Sequence, residues 1–397
     1  MSIYSQHGYG KGTKIEAGLR DGALRGVILS PRNESPEKLS AFATGLRAEF
    51  QDGVTLLFDP QFYATIVPDA RDGSLADYPY YRPGLTRRQF ISQADVHEYA
   101  ADTLGFQSTL DLDRWISPAV LFDDFRDPWS QIALTMAQES ISVHRQTQNA
   151  APLLLSLVLD ENALRSRDSL DEFLDIITSW DVAGFYLVVR RNDRSYPAAF
   201  DDSVLLNLVY LVYVLAEVNE FEVVCGYTDL VGLLLLAVGG KAIASGWFNT
   251  LRQFSLSPFQ PATGGRAPRA RYTSAPLMSS VLVVPELATA YYVGRTADML
   301  SNTRYDQAMA NGDPANALWP PETACLHHWD VLARLAEGVG GTNVGVRLAT
   351  LESEIRQAIA RYALLQSSGV QFEAPTGPRD LTLWLRVVQA FRSEIGA

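Results

Sequence analysis

The sequence predicts a (β/α)8 barrel of the TIM type with a C-terminal helical appendage, and three observations carry that expectation. Eight short, nearly continuous apolar runs recur between residues 25 and 284, the pattern of strands buried on both faces. Nearly every run is followed by a helical pattern or a loop of comparable length, the rhythm of parallel strands joined by crossovers. With 397 residues, 47% hydrophobic and 20% charged, the chain is long enough for one α/β domain of about 250 to 300 residues plus an addition. A doubly wound open sheet shares the same local pattern.

The elements follow in order. "RGVILSPR" (25 to 32) leads into "SPEKLSAFATGLRAEF", where Ser35 caps a helix opened by Pro36. "VTLLFDP" (54 to 60) precedes a long irregular stretch from 66 to 92 rich in Pro, Tyr and Arg. "SPAVLFDDF" (117 to 125) precedes a helix from 128, and "APLLLSLVLD" (151 to 160) precedes "SLDEFLDIITSW". The series closes with "AGFYLVVRR", a helix over 202 to 218, "FEVVCGYTD", a helix over 230 to 239, "KAIASGW" and "APLMSSVLVV". Residues 1 to 24 read as an N-terminal arm, 25 to 300 as the barrel, and 301 to 397 as amphipathic helices packed on it.

Composition narrows the function. Cys225 and Cys325 lie far apart and form no CxxC or Cys/His cluster, and the five histidines have no ligand spacing, so neither a disulfide framework nor a metal site is expected. No cofactor is expected either: "GYGKGTK" (8 to 14) lacks the spacing of a phosphate loop and no apolar run precedes it. The start lacks the apolar stretch of a signal peptide, and the apolar segment 203 to 218 is too short for a membrane span, so a cytoplasmic protein is expected. A net charge of −12 argues against indiscriminate coating of nucleic acid. That charge is uneven. Between Asp229 and Glu286 there is no acid, while Lys241, Arg252, Arg266, Arg269 and Arg271 fall in the same window.

A barrel gathers its chemistry at the carboxyl ends of its strands. Acids recur there: Asp59, Asp123 with Asp124, Asp160 with Glu161, and Asp229. Each one alone is also what a helix cap or turn requires. Several at one rim point to the acid and base work of breaking a glycosidic bond. Asp59 is the principal candidate, since it follows an apolar run directly and precedes Gln61 and two aromatic rings.

The strand-end motifs, in order and spacing, resemble those of the tRNA-guanine transglycosylase barrels and their DNA-acting relatives. "FDPQF" (58 to 62) stands where that family has Asp-Ser-Gly-Gly-Phe-Gln, and "VLFDDFRDPWSQIALTMAQESISVHR" (120 to 145) is similar to its Phe-Asp-Glu strand and long helix. "CGYTDLVGLLLLAVGGKAIASGW" (225 to 247) resembles the stretch leading to the family's second catalytic Asp, but here Ser245 and Gly246 stand in place of that acid. The cysteine cluster of the family's zinc site is absent too, so zinc and the tRNA-binding elements near it are not carried over. Loss of the second Asp implies base removal by water in place of base exchange.

The resemblance therefore implies a DNA glycosylase of phage defence acting on hypermodified bases, including glucosylated hydroxymethylcytosine. Asp59 is its expected catalytic carboxylate. Asp123, Asp124, Gln61, Asp229 and Trp247 are its expected base-reading residues, since carboxylates suit a cytosine N4 donor and rings replace lost stacking. Arg87, Arg88, Arg252, Arg266, Arg269 and Arg271 are expected on the DNA backbone. Two alternatives stand beside it: a catalytically silent barrel that binds nucleic acid, and a base exchanger that recruits an acid such as Asp229.

Overall fold

The computed structural model describes residues 1–193, 195–261 and 268–397. Its centre is an eight-stranded, wholly parallel sheet: β1 (Ser2–Gln6), β2 (Gly26–Leu29), β3 (Thr55–Phe58), β4 (Trp115–Ile116), β5 (Leu153–Asp160), β6 (Gly184–Arg190), β7 (Glu222–Cys225) and β8 (Ala242–Ser245). The strand order β3-β2-β1-β8-β7-β6-β5-β4 is that of a barrel cut once, between β3 and β4. The cut is sewn by one residue. Asp113 donates its backbone N–H to the Leu56 carbonyl at 3.0 Å, and its carboxylate accepts from the Leu56 N–H at 2.7 Å. The fold is thus a nearly closed (β/α)8 barrel.

Helices follow the strands in alternation: α1 (Lys14–Arg20), α2 (Pro36–Phe50), α3 (Gln93–Gln107), α4 (Pro128–Gln146), α5 (Arg167–Ile177), α6 (Asp202–Tyr213) and α7 (Gly232–Ala237). Local sequence starts and orients them. Ser35 accepts from Lys38 N ahead of Pro36, and Asp127 accepts from Ser130 N at 3.1 Å ahead of Pro128, so two helices begin where an N-cap precedes a proline. Leu170, Phe173, Leu174 and Ile177 fall on one face of α5 at helical spacing and are buried against the barrel.

After β8 the chain makes a two-stranded antiparallel hairpin, β9 (Arg271–Ser274) with β10 (Ser279–Leu282), then the short helices α8 (Ala288–Tyr292) and α9 (Gln307–Ala310). The helix α10 (Pro321–Gly338) returns to the barrel and packs on β1 and α1, taking the place of the eighth outer helix. Its Trp329 is fully buried and donates from Nε1 to the Ser245 carbonyl at 2.9 Å. The helices α11 (Val344–Ser367) and α12 (Arg379–Ile395) pack on each other and on α7 and α6. Both free cysteines are buried, and among the described residues no helix is long and apolar enough to cross a membrane.

Three expectations are corrected. Residues 1 to 24 are not an arm: Ser2–Gln6 is a central barrel strand, hydrogen-bonded to both β2 and β8. Its buried residues include the polar neighbours Ser5 and Gln6, on opposite faces of the strand, which break the apolar run that marks the other strands. The run 275 to 284 is not a barrel strand, because Met278 N closes a tight turn onto Ala275 O and folds the segment back on β9. The run 117 to 125 contributes a single isolated bridge, Phe122 to Leu159. Pro118, without an N–H, cannot extend the ladder of β4.

Candidate functional site: a buried carboxylate behind an aromatic-lined cavity

Asp59 follows β3 directly at the carboxyl end of the barrel and is 1% exposed. Its Oδ1 accepts from the Gln61 N–H at 2.9 Å. Its Oδ2 accepts from three phenols, Tyr63 at 3.1 Å, Tyr186 at 3.3 Å and Tyr227 at 3.4 Å. Burial pushes the carboxyl up to about 6, against the pull of these four donors. The same burial, with the Asp59 charge beside them, raises all three phenols above their ordinary range, so they stay protonated and serve as donors.

Two backbone features hold the cluster. Gln61 and Tyr227 both lie in the left-handed region, each at φ 51. Non-glycine residues there carry strain, and such residues concentrate at functional sites. Gly226 is required by packing: a Cβ on it would meet the Tyr186 ring and hydroxyl, with Cζ at 2.8 Å. The glycine thereby lets Tyr186 reach across the barrel from β6 to Asp59.

Above Gln61 and Tyr227 a cavity opens at the barrel mouth. Phe248, Phe254 and Phe259 give it an aromatic wall, and His7 and Arg32 give it polar groups. His7 is buried, packs on Phe42 and is pushed down to about 4 by burial, so it is neutral at pH 7. Its Nδ1 faces Ser30, while its buried Nε2 has no partner among the described residues. Arg32 lies 5.3 Å from the Phe259 ring centre, and its Nε is likewise buried and without a partner. Gln61 closes the floor with two long hydrogen bonds, accepting from Arg32 N at 3.3 Å and donating to Tyr227 OH at 3.1 Å. Asp59 therefore lies one side chain below the cavity. No acid lines this cavity among the described residues.

The other expected acids are elsewhere. Asp123 and Asp124 are exposed, and Asp124 accepts from Arg126 N in a local turn. Asp160 is paired with Arg190 at 2.5 Å, and Glu161 with Arg191 at 2.7 Å. Asp229 accepts from Tyr196 in a second cavity. Trp247 is buried, donates to Tyr9 O at 2.8 Å and packs on Trp329, so its ring does not face the Asp59 cavity. The expected cluster of acids around one cleft is thus corrected to one carboxylate, with Gln61 as its neighbour.

The expected DNA-backbone arginines also divide. Arg252 is buried and donates to Gly246 O at 2.7 Å and Tyr196 OH at 3.0 Å. Arg271 donates to Ser280 O and Tyr196 O, both at 2.7 Å. Arg269 grips Glu373 in a two-pronged pair at 2.5 and 2.6 Å. Arg252 and Arg271 are thereby corrected from phosphate ligands to groups turned into the chain, while Arg269, although paired with Glu373, stays exposed. Arg266 lies outside the described residues. Arg87 and Arg88 are exposed and make no ion pair among the described residues.

His7, Arg32, Tyr186 and Tyr227 were not foreseen as site residues. Recognising "SIYSQ" as a strand would have placed His7 at its carboxyl end, as "EVVC" places Tyr227.

No protein-family model and no curated protein matches the chain. Among solved structures, a dihydrodipicolinate synthase from Bacillus clausii is similar at a TM-score of 0.28 and 12% identity, over 94% of this chain and 97% of that one.

Proposed function

We propose that the chain is an N-glycosidic bond hydrolase, a DNA glycosylase that removes a hypermodified base such as glucosylated hydroxymethylcytosine, in keeping with the resemblance of its strand-end motifs. The observation that carries the reading is Asp59: a buried carboxylate raised to about 6, placed at the catalytic end of a barrel, one side chain below an aromatic-walled cavity. A planar base enters between the rings of Phe254 and Phe259, which replace its lost stacking. Displacing the Gln61 side chain, whose amide makes hydrogen bonds of 3.1 and 3.3 Å, brings the anomeric carbon and a water against Asp59. The ionised carboxylate takes the proton of that water and offsets the positive charge developing on the sugar. Arg32 Nε, buried with no partner among the described residues, is the donor available to the departing base, joined by His7 Nε2 in the tautomer whose Nδ1 accepts from the Ser30 N–H. Exposed Arg87 and Arg88 are the cations left to hold phosphates.

One observation favours a second reading, a binding barrel without chemistry: four donors already saturate Asp59. A single experiment separates the two. Purified protein is incubated with unmodified DNA and with phage DNA bearing hypermodified cytosine, and released base and abasic sites are measured. Abasic sites in the modified DNA alone, abolished by Asp59→Asn in a folded variant, are expected. Binding without base release from either DNA would establish the silent barrel.

A further inference from the structure

A second cavity lies outside the barrel wall, between the outward residues of β6 and β7 and the helices α6, α7 and α12. We infer that it binds a neutral heteroaromatic molecule whose edge sets a hydrogen-bond donor beside an acceptor, as pyrimidines, purines and ring carboxamides do. This inference does not rest on the proposed glycosylase activity, because the cavity does not include Asp59.

The walls suit a flat apolar body. Phe200, Leu208, Leu235 and Trp384 surround the space. The polar groups suit neither an anion nor a cation. Two acids, Asp229 and Asp380, and two arginines, Arg191 and Arg252, line it together. A singly charged ligand that gained from one pair would be repelled by the other.

On one wall a single phenol ties acid to base. Tyr196 donates to Asp229 Oδ2 and accepts from Arg252 Nη1 at 3.0 Å. Arg252 spends Nε on Gly246 O, and its Nη2 makes no hydrogen bond among the described residues. Asp229 Oδ1 accepts from the Leu230 N–H at 2.8 Å and lies 3.5 Å from the buried His328 Nε2, while Oδ2 accepts only from the phenol and keeps a free lone pair. An acceptor and a donor therefore stand side by side, and the ligand edge that satisfies both is a neutral donor–acceptor pair.

The test uses calorimetric titration of the intact protein with cytosine, adenine and nicotinamide, and with benzoate and benzylamine as singly charged rings of similar size. Saturable one-to-one binding of at least one neutral ring is expected, with benzoate and benzylamine at least tenfold weaker. Ala198→Trp, on a half-buried loop of the cavity, should abolish binding by filling the space, and Leu381→Trp should do the same from the opposite side. Tyr227 lines both cavities, so the control is Phe248→Ala, which touches the other cavity alone and should leave the affinity within twofold. The inference is overturned if no neutral ring binds, if a charged ring binds equally well, or if folded protein carrying either tryptophan binds as the wild type does.

Discussion

The Gln61 amide donates to the Tyr227 hydroxyl at 3.1 Å, and both residues hold a left-handed backbone. Each such residue costs on the order of 1–2 kcal/mol, so two meeting above one carboxylate mark a place where the surrounding fold imposes a geometry that neither residue prefers. The Tyr227 phenol also donates to Asp59 and helps hold its proton affinity down. Tyr227→Phe keeps the ring and removes the donor. The Asp59 carboxyl should then titrate above its wild-type value, read from its carbon-13 signal, with a loss of about 1 kcal/mol in urea unfolding. An Asp59 titration unmoved by the substitution would mean that the phenol does not act on the carboxylate.

Asp59 should also make stability depend on pH in a defined direction. Its carboxyl is raised from the ordinary 3.8 to about 6 in the fold, so the native state binds a proton more tightly than the unfolded chain does. The favourable contribution is full below the unfolded value and is lost as pH rises through the folded one. Two units correspond to about 3 kcal/mol at most. Asp59→Asn, which cannot ionise, should therefore gain on the wild type between pH 4 and pH 8. Melting temperatures of the two proteins measured across that range test this, and a constant difference would refute it.

Gly226→Ala should act on the site through packing alone. The added methyl meets the Tyr186 ring, with Cζ at 2.8 Å, and overpacking of a core costs about 1–3 kcal/mol. Tyr186→Leu in the same chain removes the obstacle. A double-mutant cycle should show the two changes to be non-additive, with the pair less destabilised than the sum. Additive losses would place the glycine's role elsewhere.

The sequence made the barrel legible where strands are buried on both faces by apolar side chains, as over Leu153–Asp160. It hid β1, because Ser5 and Gln6 are polar residues buried in the barrel, and hydropathy marks apolar burial only. Asp59 was legible for a related reason: an acid that ends an apolar run stands at a strand's carboxyl end. Tyr63 was legible with it as one of the two rings that follow, but Tyr186 and Tyr227 were not, since they come from other parts of the chain and meet Asp59 only when the barrel closes. The internal partners of the basic window were hidden, because local charge says nothing of partners. Glu373 and two backbone carbonyls, far along the chain or across a hairpin, answer Arg269 and Arg271.

That distinction yields the last prediction. Arg271 donates to two backbone carbonyls, Ser280 O at the end of the hairpin and Tyr196 O on the β6–α6 loop. Arg271→Ala removes the partner of two carbonyls on buried residues and the guanidinium that lies 5.3 Å from the Tyr196 ring centre, so a loss of about 2 kcal/mol in urea unfolding is expected. Arg87→Ala and Arg88→Ala remove exposed charges and should change stability by less than about 0.5 kcal/mol. If the chain holds nucleic acid, these two should weaken binding and flatten its salt dependence by about one ion each. Arg271→Ala should lower affinity only as far as it unfolds the protein. A folded Arg271→Ala protein with a reduced salt slope would return that residue to the phosphate surface.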